Sequence, residues 1–520
     1  MKKKTNFKTL TLSLLSAFVL CGCGGSDNSN TLNIRGVKLG YGVEWMKNII
    51  AGYQAKTGNK VKLTTLDGQA GVEALQGEIE AGGEKNTDIY FSRITDFYKF
   101  AYQDFFVDLT DLYTEKDTNT GLSIEDRTEK DFLNAYKVNN KYVGLSWANG
   151  VFGIIKNNII WNALNLTDDD IPQTTDELIS LCKRVSSLEY KYDGNQIYPF
   201  VYSYESEYYS TLFPTWFSQY EGSENMDYFN NGIDPDDPVG SELHHTSNFY
   251  VRDGIIESLK VIESLLVKNT NFHHPRSKSY QFSTAQNDFL RNKTSLFMVN
   301  GSWLESETTV KDYNIEFIDT PIVSSIINNG RVKTIKDDQT LSLTVKYIRG
   351  IIDNKPTGVS DEDIEIIKDA VKCGSLVRSG VDHHLVVSKK SKKIDLAKDF
   401  LKYMYSDEGL SIYRNTMNGG TLSTKPATPF TDDSNVSAFK ANVNKKLEEN
   451  NFTDYEAQVP CKLFCYGGIN RYCTNGLGNF GGNAVKAMVD FEKTPQEIFN
   501  LNKKFLDDNW ASILKESGLQ

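Results

Sequence analysis

The stretch TLNIRGVKLGYGVEWMKNIIAGYQAKTGNKVKLTTL, residues 31–66, decides the fold. Residues 32–37 alternate apolar and polar side chains as a strand does, and residues 60–66 predict a second strand. The apolar positions between them recur at helical spacing before Gly58 ends the helix: Met46, Ile49, Ile50 and Tyr53. A further helix over 72–79 and a short apolar strand at 88–91 follow. Such βαβ repeats predict a parallel sheet, with a ligand site at the carboxyl ends of its strands.

The same alternation returns in the second part of the chain. Further strands and helices are predicted at 153–155, 174–185, 295–299, 315–318, 361–371, after a cap at Ser391, and after Thr494. Thr174 with Glu177 has the spacing of a capping box, and Thr494 is followed by Pro495 at the first helical turn. Two α/β sheets with helices account for this pattern better than one.

The N-terminus has the features of an export signal. Lysines precede an apolar stretch over 10–20, which is too short to span a bilayer as a stable helix. The following Leu20-Cys21-Gly22-Cys23 resembles the lipobox of bacterial lipoproteins, in which a small residue precedes the lipidated cysteine. We therefore expect a signal peptide over 1–22, lipidation of Cys23 and a flexible tether over 23–30. An ordinary cleaved signal is the alternative.

Charge and motif content exclude several classes of function. A net charge of −11 argues against nucleic acid as a partner. All six histidines form adjacent pairs, which point apart on a strand, so a metal site is not indicated. No phosphate loop, nucleophile elbow or His-Glu-x-x-His motif occurs, and no cofactor is expected. Carboxylate pairs for glycoside hydrolysis depend on spatial separation, so a glycan-acting surface enzyme stays open.

Five cysteines remain beyond the lipobox. Cys182 follows an apolar helical stripe, which predicts a buried core side chain. Cys461, Cys465 and Cys473 lie close together in sequence, and an oxidising exterior would allow one disulfide among them. A three-thiolate metal site is the alternative for these cysteines.

Six stretches, in order, resemble the extracellular solute-binding proteins of ATP-binding-cassette importers, in the sugar-binding group that includes maltose-binding protein. They cover residues 52–61 (GYQAKTGNKV), 87–110, 141–160 (KYVGLSWANGVFGIIKNNII), 172–178, 289–304 (FLRNKTSLFMVNGSWL) and 387–413. They are spread across nearly the whole chain after the tether, and their order is more specific than any one of them.

The resemblance implies a periplasmic-binding-protein-like α/β fold with two lobes joined by three chain crossings. The crossings fall near 144–148, 380–385 and 419–423. The implied first lobe spans 31–144 plus 382–418, and the second spans 148–380 plus 423–520. Two features depart from the family pattern: Ser146 replaces a common proline in the first crossing, and 326–378 is an inserted segment.

Candidate ligand contacts follow from where this pattern puts the cleft. Those of the first lobe and first crossing are Tyr41, Glu44, Trp45, Arg93, Asp96, Trp147 and Asn149. Those of the second lobe are Tyr208, Trp216, Ser302, Trp303, Asn479 and Phe480. The Asn300-Gly301-Ser302-Trp303 turn matches the family motif whose tryptophan stacks on sugar. Core packing is the competing interpretation for each aromatic ring, and solvated surface for each charge.

The sequence thus predicts a non-enzymatic lipoprotein that captures a carbohydrate, an oligosaccharide in particular, by lobe closure. Its expected partners are the permease subunits of an ATP-binding-cassette importer and, through Cys23, the lipid bilayer of the cell membrane. We expect an extracytoplasmic monomer. A binding protein for a metal, peptide or polyamine is the remaining alternative.

Overall fold

A computed structural model describes residues 31–83, 86–204, 208–234, 236, 245–431, 434–454, 461–470 and 472–519. The predicted signal peptide, Cys23 and the tether lie outside the described residues. Among those residues, no helix has the length and apolar character needed to cross a membrane.

The strands run in chain order as follows: β1 Thr31–Lys38, β2 Lys60–Asp67, β3 Ile89–Arg93, β4 Lys137–Val138, β5 Lys141–Tyr142, β6 Leu145–Ser146, β7 Gly150–Asn157, β8 Lys191–Tyr192, β9 Asn195–Gln196, β10 Tyr198–Val201, β11 Ser295–Gly301, β12 Ile315–Phe317, β13 Leu376–Ser379, β14 His383–Val387 and β15 Phe452–Asp454.

The α-helices are α1 Glu44–Thr57, α2 Gly68–Glu80, α3 Phe97–Tyr102, α4 Thr110–Thr114, α5 Ile124–Arg127, α6 Lys130–Tyr136, α7 Asn158–Ala163, α8 Thr175–Ser187, α9 Phe213–Glu221, α10 Ser223–Asn230, α11 Asp253–Glu263, α12 Phe282–Leu290, α13 Leu304–Glu307, α14 Asp338–Ile348, α15 Asp361–Gly374, α16 Ile394–Met404, α17 Asp407–Thr416, α18 Ala438–Glu449, α19 Lys462–Tyr466, α20 Ala484–Phe491 and α21 Pro495–Ser517.

The first sheet confirms the predicted βαβ start of the chain. Its strand order is β2-β1-β3-β14-β6, with β1 parallel to both β2 and β3, and β14 antiparallel to β3. The buried apolar side chains around it come from residues between 32 and 148 and between 381 and 422. One face of each helix and strand is apolar, and burial of those faces supplies the main stabilising free energy of this lobe.

The second sheet has the order β10-β11-β7-β13-β15, with β12 also paired to β7. Both β11 and β13 run antiparallel to β7. One large cluster of buried side chains on this sheet includes Ile326, Leu341 and Ile367. The segment 326–378 therefore packs with the second sheet, because its helices α14 and α15 turn their apolar faces into that cluster.

Two of the predicted helix caps are present, and one prediction is wrong. Thr494 and Glu497 form a full capping box at α21. Thr174 accepts from the N–H of Glu177, whereas the Glu177 carboxylate accepts from the N–H of Gln173 instead of completing the box. Ser391 does not cap α16, because the helix begins at Ile394 and its N-cap is Lys393; the Ser391 hydroxyl donates to the buried Asp88 and accepts from the N–H of Lys393.

The first two crossings pack against each other where the chain passes between the sheets. Ser146 Oγ lies 2.6 Å from the carbonyl oxygen of Gly380 and 2.7 Å from that of Ala148. Gly380 has a φ of 107°, and a Cβ there would lie 2.5 Å from Ala148 O. Only glycine fits this approach without strain.

The chain just after the predicted third crossing keeps hydrogen bonds to first-lobe residues. The N–H of Lys425 bonds the carbonyl of Arg127 at 2.9 Å, and the N–H of Thr428 bonds the Asp407 carboxylate at 2.9 Å. The chain therefore stays beside first-lobe residues to position 428, because loop hydrogen bonds that periodicity does not reveal hold it there.

We expect Gly380→Ala to lower the free energy of unfolding by about 2–4 kcal/mol, from left-handed strain and from the clash with Ala148 O. Urea denaturation measures the change. Gly330→Ala is the matched control, because Gly330 has a φ of 76° and open space around its Cβ position. Equal losses in the two variants would contradict the close crossing.

Candidate functional site

A cavity of about 170 Å³, the inner pocket, lies between the two sheets. The first sheet's strands reach it through the loop after β1, the end of β3 and the start of β14. The second sheet reaches it through β7 and the turn after β11. The residues that line it are Leu39, Gly40, Tyr41, Arg93, Phe152, Tyr208, Thr211, Trp303, Glu307, Asp382 and His383.

Tyr41 joins the two lobes at the floor of this pocket. Its hydroxyl lies 3.3 Å from Ser302 Oγ and 3.1 Å from Ser379 Oγ, both on second-lobe elements. Burial raises the pKa of Tyr41 to about 12. The phenol is therefore neutral at physiological pH and both donates and accepts hydrogen bonds.

Trp303 is the centre of an aromatic wall. Its ring stacks on Phe152 with centroids 5.7 Å apart, and it meets Tyr41 and Tyr208 edge-on at 6.1 and 6.4 Å. Trp303 is only partly buried, so the cavity reaches part of its indole. Such a wall offers a flat apolar surface to a ligand.

The turn that carries Trp303 is held by two buried hydrogen bonds. The Nζ of Lys440 on α18 donates to the carbonyl of Ser302 at 2.6 Å, and the N–H of Val151 donates to Ser302 Oγ at 3.2 Å. Burial lowers the pKa of Lys440 to about 8. Ser302 thus positions the wall from behind and does not line the inner pocket.

A buried ion pair forms the polar side of the pocket. Arg93 Nε lies 2.7 Å from Asp382 Oδ2, and His383 Nδ1 lies 2.7 Å from Asp382 Oδ1. Burial favours the protonated carboxyl, but the charges of His383 and Arg93 outweigh it and hold the pKa of Asp382 well below its usual range. Asp382 is therefore an anion with both oxygens engaged.

Glu307 is the second acid of the pocket and has a different environment. Its Oε2 accepts a hydrogen bond of 2.6 Å from the amide of Gln286. Burial raises the pKa of Glu307 to about 7, and the Gln286 bond only partly opposes this effect. In the described part of the chain, no lysine, arginine or histidine lies within ion-pair distance of Glu307.

A wider cavity of about 720 Å³, the outer chamber, shares Arg93 and Asp382 with the inner pocket. Asp96 and Lys99 line it from the first lobe, whereas Tyr472, Asn475 and Asn483 line it from the C-terminal part of the chain. The two cavities are therefore adjacent: the inner pocket is narrow and lined by aromatic rings, and the outer chamber is wider, with charged and amide side chains in its wall.

The predicted contacts therefore divide into three groups. Tyr41, Arg93, Tyr208 and Trp303 line the inner pocket, Arg93 and Asp96 line the outer chamber, and Ser302 lies behind the wall. The remaining predicted residues line neither cavity: Glu44, Trp45, Trp147, Asn149, Trp216, Asn479 and Phe480.

Three of these remaining residues are tryptophans buried in the cores. Trp45 and Trp147 stack on each other at 5.2 Å in the first lobe. The indole N–H of Trp216 donates to the carbonyl of Pro321 at 3.2 Å in the second lobe. Their rings pack the protein interior in this conformation.

The other four lie in separate places. Glu44 is exposed and pairs with Lys47 at 2.6 Å. Asn149 lies 3.3 Å from both Glu129 and Arg378 at the first crossing. Asn479 is exposed. Phe480 meets Phe491 edge-on at 5.6 Å.

Sequence reasoning missed Asp382, His383 and Glu307. A usable signal existed for each. Asp382 and His383 fall within the predicted second crossing, which must pass the cleft. Glu307 follows Trp303 by four residues, so one helical turn places both on the same face.

His383 and His384 point apart as expected for a strand, since His384 stacks on Phe97 at 4.2 Å, away from the pocket.

The cysteine predictions have different outcomes. Among the described residues, no group of three or more His, Cys, Asp or Glu side chains is placed to hold a metal ion. Cys182 is buried in the second-lobe cluster, which confirms that prediction. A disulfide among Cys461, Cys465 and Cys473 stays a prediction.

Comparison with known families identifies one match. The sequence model of the family described as bacterial extracellular solute-binding protein matches residues 40–410. No curated protein sequence matches the chain.

Solved structures match over nearly the whole chain at low identity. The solute-binding protein RafE in complex with raffinose is 14% identical, with a TM-score of 0.60, and the match covers 92% of this chain and 99% of RafE. Maltose-bound MalE3 of T. maritima has the same identity, TM-score and coverage. The solute receptor AcbH, whose substrate preference is for β-D-galactopyranose, is 11% identical, with a TM-score of 0.62 and coverage of 93% and 100%. These likenesses show a periplasmic-binding-protein-like fold with two lobes.

Glu307 makes stability depend on pH. Because its folded pKa is raised to about 7, its stabilising contribution is complete below the unfolded value of 4.5 and is lost as pH rises through 7. Glu307→Gln removes this loss. We expect the variant to gain up to about 3 kcal/mol over the wild type near pH 8 and nothing near pH 4.5, measured by urea unfolding. The exposed Glu44→Gln is the control, and a pH-independent difference would contradict the raised pKa.

Proposed function

The chain belongs to the bacterial extracellular solute-binding proteins, and we propose that its solute is a carbohydrate, captured between the lobes for an ATP-binding-cassette importer. As a solute-binding protein it is a receptor and not an enzyme. The observation that carries the carbohydrate proposal is the aromatic wall around Trp303, which faces polar side chains across the inner pocket.

Sugar chemistry fits this arrangement. A pyranose ring has an apolar face of C–H groups and a rim of hydroxyls, so it needs one aromatic surface and several polar partners. In the inner pocket, Trp303 and Tyr208 supply the aromatic surface. The polar partners are Tyr41, Arg93 and Thr211.

Capture by lobe closure follows from which elements contribute. Tyr41 and Arg93 belong to the first lobe, whereas Tyr208 and Trp303 belong to the second. A ligand in the inner pocket therefore contacts both lobes at once only when they are together. Such a ligand shifts the population toward the closed form, which is the form that an importer would recognise.

The length of the ligand is proposed from the shape of the cleft. The inner pocket, at about 170 Å³, is smaller than the roughly 300–1,000 Å³ usual for drug-sized ligands. The outer chamber, which shares Arg93 and Asp382 with the inner pocket, has a further volume of about 720 Å³. We therefore propose an oligosaccharide with its end unit against Trp303. Raffinose and maltose, the sugars in the matched RafE and MalE3 complexes, are ligands of this kind.

Intrinsic tryptophan fluorescence tests the proposal, because Trp303 lines the pocket. We expect saturable quenching by at least one member of a sugar panel that includes raffinose, maltose and D-galactose, without cleavage of the sugar. Trp303→Ala should weaken binding of that sugar by about 2 kcal/mol, roughly thirtyfold.

Trp510→Phe is the matched control, because Trp510 packs on Phe249 at 5.6 Å and lines neither cavity. Its affinity should equal that of the wild type. Unchanged affinity in Trp303→Ala would show that the aromatic wall does not contact the sugar. If no sugar of the panel changed the fluorescence, a carbohydrate ligand would be contradicted.

Lobe boundaries and the insert are part of the proposal. We propose a first lobe of 31–144 plus 382–418 and a second of 148–380 plus 423–520, with 326–378 as an insert of the second. Core membership supports this division, since Leu32 and Leu385 share one cluster, whereas Phe152 and Ile367 share another.

Anchoring and partners are proposed from the family and the N-terminal sequence. An extracellular family suits an exported chain, and the lipobox at Cys23 suits attachment to the outer face of the cell membrane. A tether would keep the receptor at high local concentration beside the importer's permease subunits. We propose that it acts as a monomer.

Cys23→Ser should release the protein from the membrane, because a serine hydroxyl does not replace the lipidated thiol. Detergent-phase partition of the expressed protein measures the change. Cys21→Ser is the matched control and should stay in the detergent phase. Membrane attachment of the Cys23→Ser protein would contradict lipidation at this position.

A further inference from the structure

Glu307 is a largely buried acid that faces aromatic rings and has no cationic partner among the residues that the structure describes. Its Oε1 lies 2.9 Å from the position where a Cβ of Gly40 would stand, so it faces the loop after β1 across the inner pocket. Its Oε2 is bonded to Gln286. Glu307 lines the same pocket as Tyr41 and Tyr208, and its negative charge contributes to the raised pKa values of both.

The cations nearby already have partners. Arg93 is paired with Asp382, and the buried Lys440 donates to the carbonyl of Ser302. When Glu307 ionises, the inner pocket therefore contains one carboxylate whose charge no described side chain balances. Burying an unbalanced charge costs free energy, and a cationic ligand would remove that cost.

The rings beside Glu307 suit the same kind of ligand. Trp303 meets Tyr41 at an interplanar angle of 70° and Tyr208 at 68°, both in edge-to-face pairs. Ring faces carry negative potential and attract a positive charge, most strongly for tryptophan. An ammonium group between these rings and Glu307 would gain from both the ion pair and the cation–π contact.

We propose that the inner pocket takes an amino sugar unit with a free, protonated amine, whose ammonium group donates to Glu307 Oε1 beside Trp303. This inference rests on the proposed capture of a carbohydrate and names its class. An N-acetylated unit lacks the charge, and a neutral sugar offers only a hydroxyl to the carboxylate. Both should bind more weakly for this reason.

Affinity for the amine should rise with pH below neutrality. The pKa of Glu307 is raised to about 7, so near pH 5.5 the carboxyl is protonated and does not pair with the ammonium. The groups that face it are Arg93, Asp382, His383, Tyr41 and Tyr208. We expect an approximately tenfold gain in affinity between about pH 5.5 and pH 7. Glu307→Gln should abolish this pH dependence of the affinity. Loss of the dependence in the variant would assign it to Glu307 and not to His383.

Calorimetric titration of the mature protein tests the proposal with matched sugars. The probes are D-glucosamine, D-glucose and N-acetyl-D-glucosamine, the corresponding galactose series, and trisaccharides of the same units. We expect the amine-bearing member of at least one series to bind ten times more tightly than both of its neutral counterparts. Glu307→Gln should remove that preference, and Glu307→Asp, which keeps the charge, should retain part of it.

The outcomes separate this inference from the proposed function. Equal or tighter binding of the neutral sugars by the wild type overturns the amino-sugar inference and leaves carbohydrate capture standing. This comparison needs no variant, so it holds even if Glu307→Gln does not fold. Binding of a diamine such as putrescine without any sugar overturns both, and so does the absence of all binding.

Discussion

The close packing of the first two chain crossings is the constraint on which the rest of the structure depends. Ser146 Oγ lies 2.6 Å from Gly380 O, and the chain passes from β6 to β7 and from β13 to β14 beside this contact. The ends of strands from two separate sheets therefore meet at one cleft. Residues far apart in sequence, such as Tyr41 and Ser379, come within hydrogen-bond distance for this reason. A glycine at 380 and a hydroxyl at 146 are what this geometry needs.

Two acids in the same cleft have opposite electrostatic environments. Asp382 is anionic because Arg93 and His383 engage both of its oxygens, and this pairing also orders the start of β14. Among the described residues, the partner of Glu307 is the Gln286 amide, and burial raises the pKa of Glu307 to about 7. Asp382 therefore stabilises the site through its ion pairs, whereas the Glu307 carboxylate is left to pair with a ligand. A receptor gains selectivity from such an unbalanced group, because a wrong ligand leaves it buried without a partner.

The sequence was sufficient for the fold and for part of the site. Strands and helices over 31–93 follow from periodicity, because each has one face in the core. The turn at Trp303 and the loop at Tyr41 follow from their places after strand ends. The side to which a ring turns after a strand end does not follow: Trp45, in the first turn of α1, and Trp147, at the first crossing, were predicted as contacts, and in the structure they stack on each other in the core. Glu307 could have been found from its place one helical turn after Trp303, but its approach to Gly40, 267 positions earlier in the chain, could not.

The central claim is that a sugar binds against Trp303 between the lobes. A crystal structure of the mature protein with the tightest-binding sugar of the panel tests it most directly. We expect a sugar ring in van der Waals contact with the Trp303 indole, with Tyr41 from the first lobe and Tyr208 from the second also in contact. A sugar bound elsewhere, such as the separate cavity of about 1,000 Å³ beside Arg414 and Phe430, would contradict it.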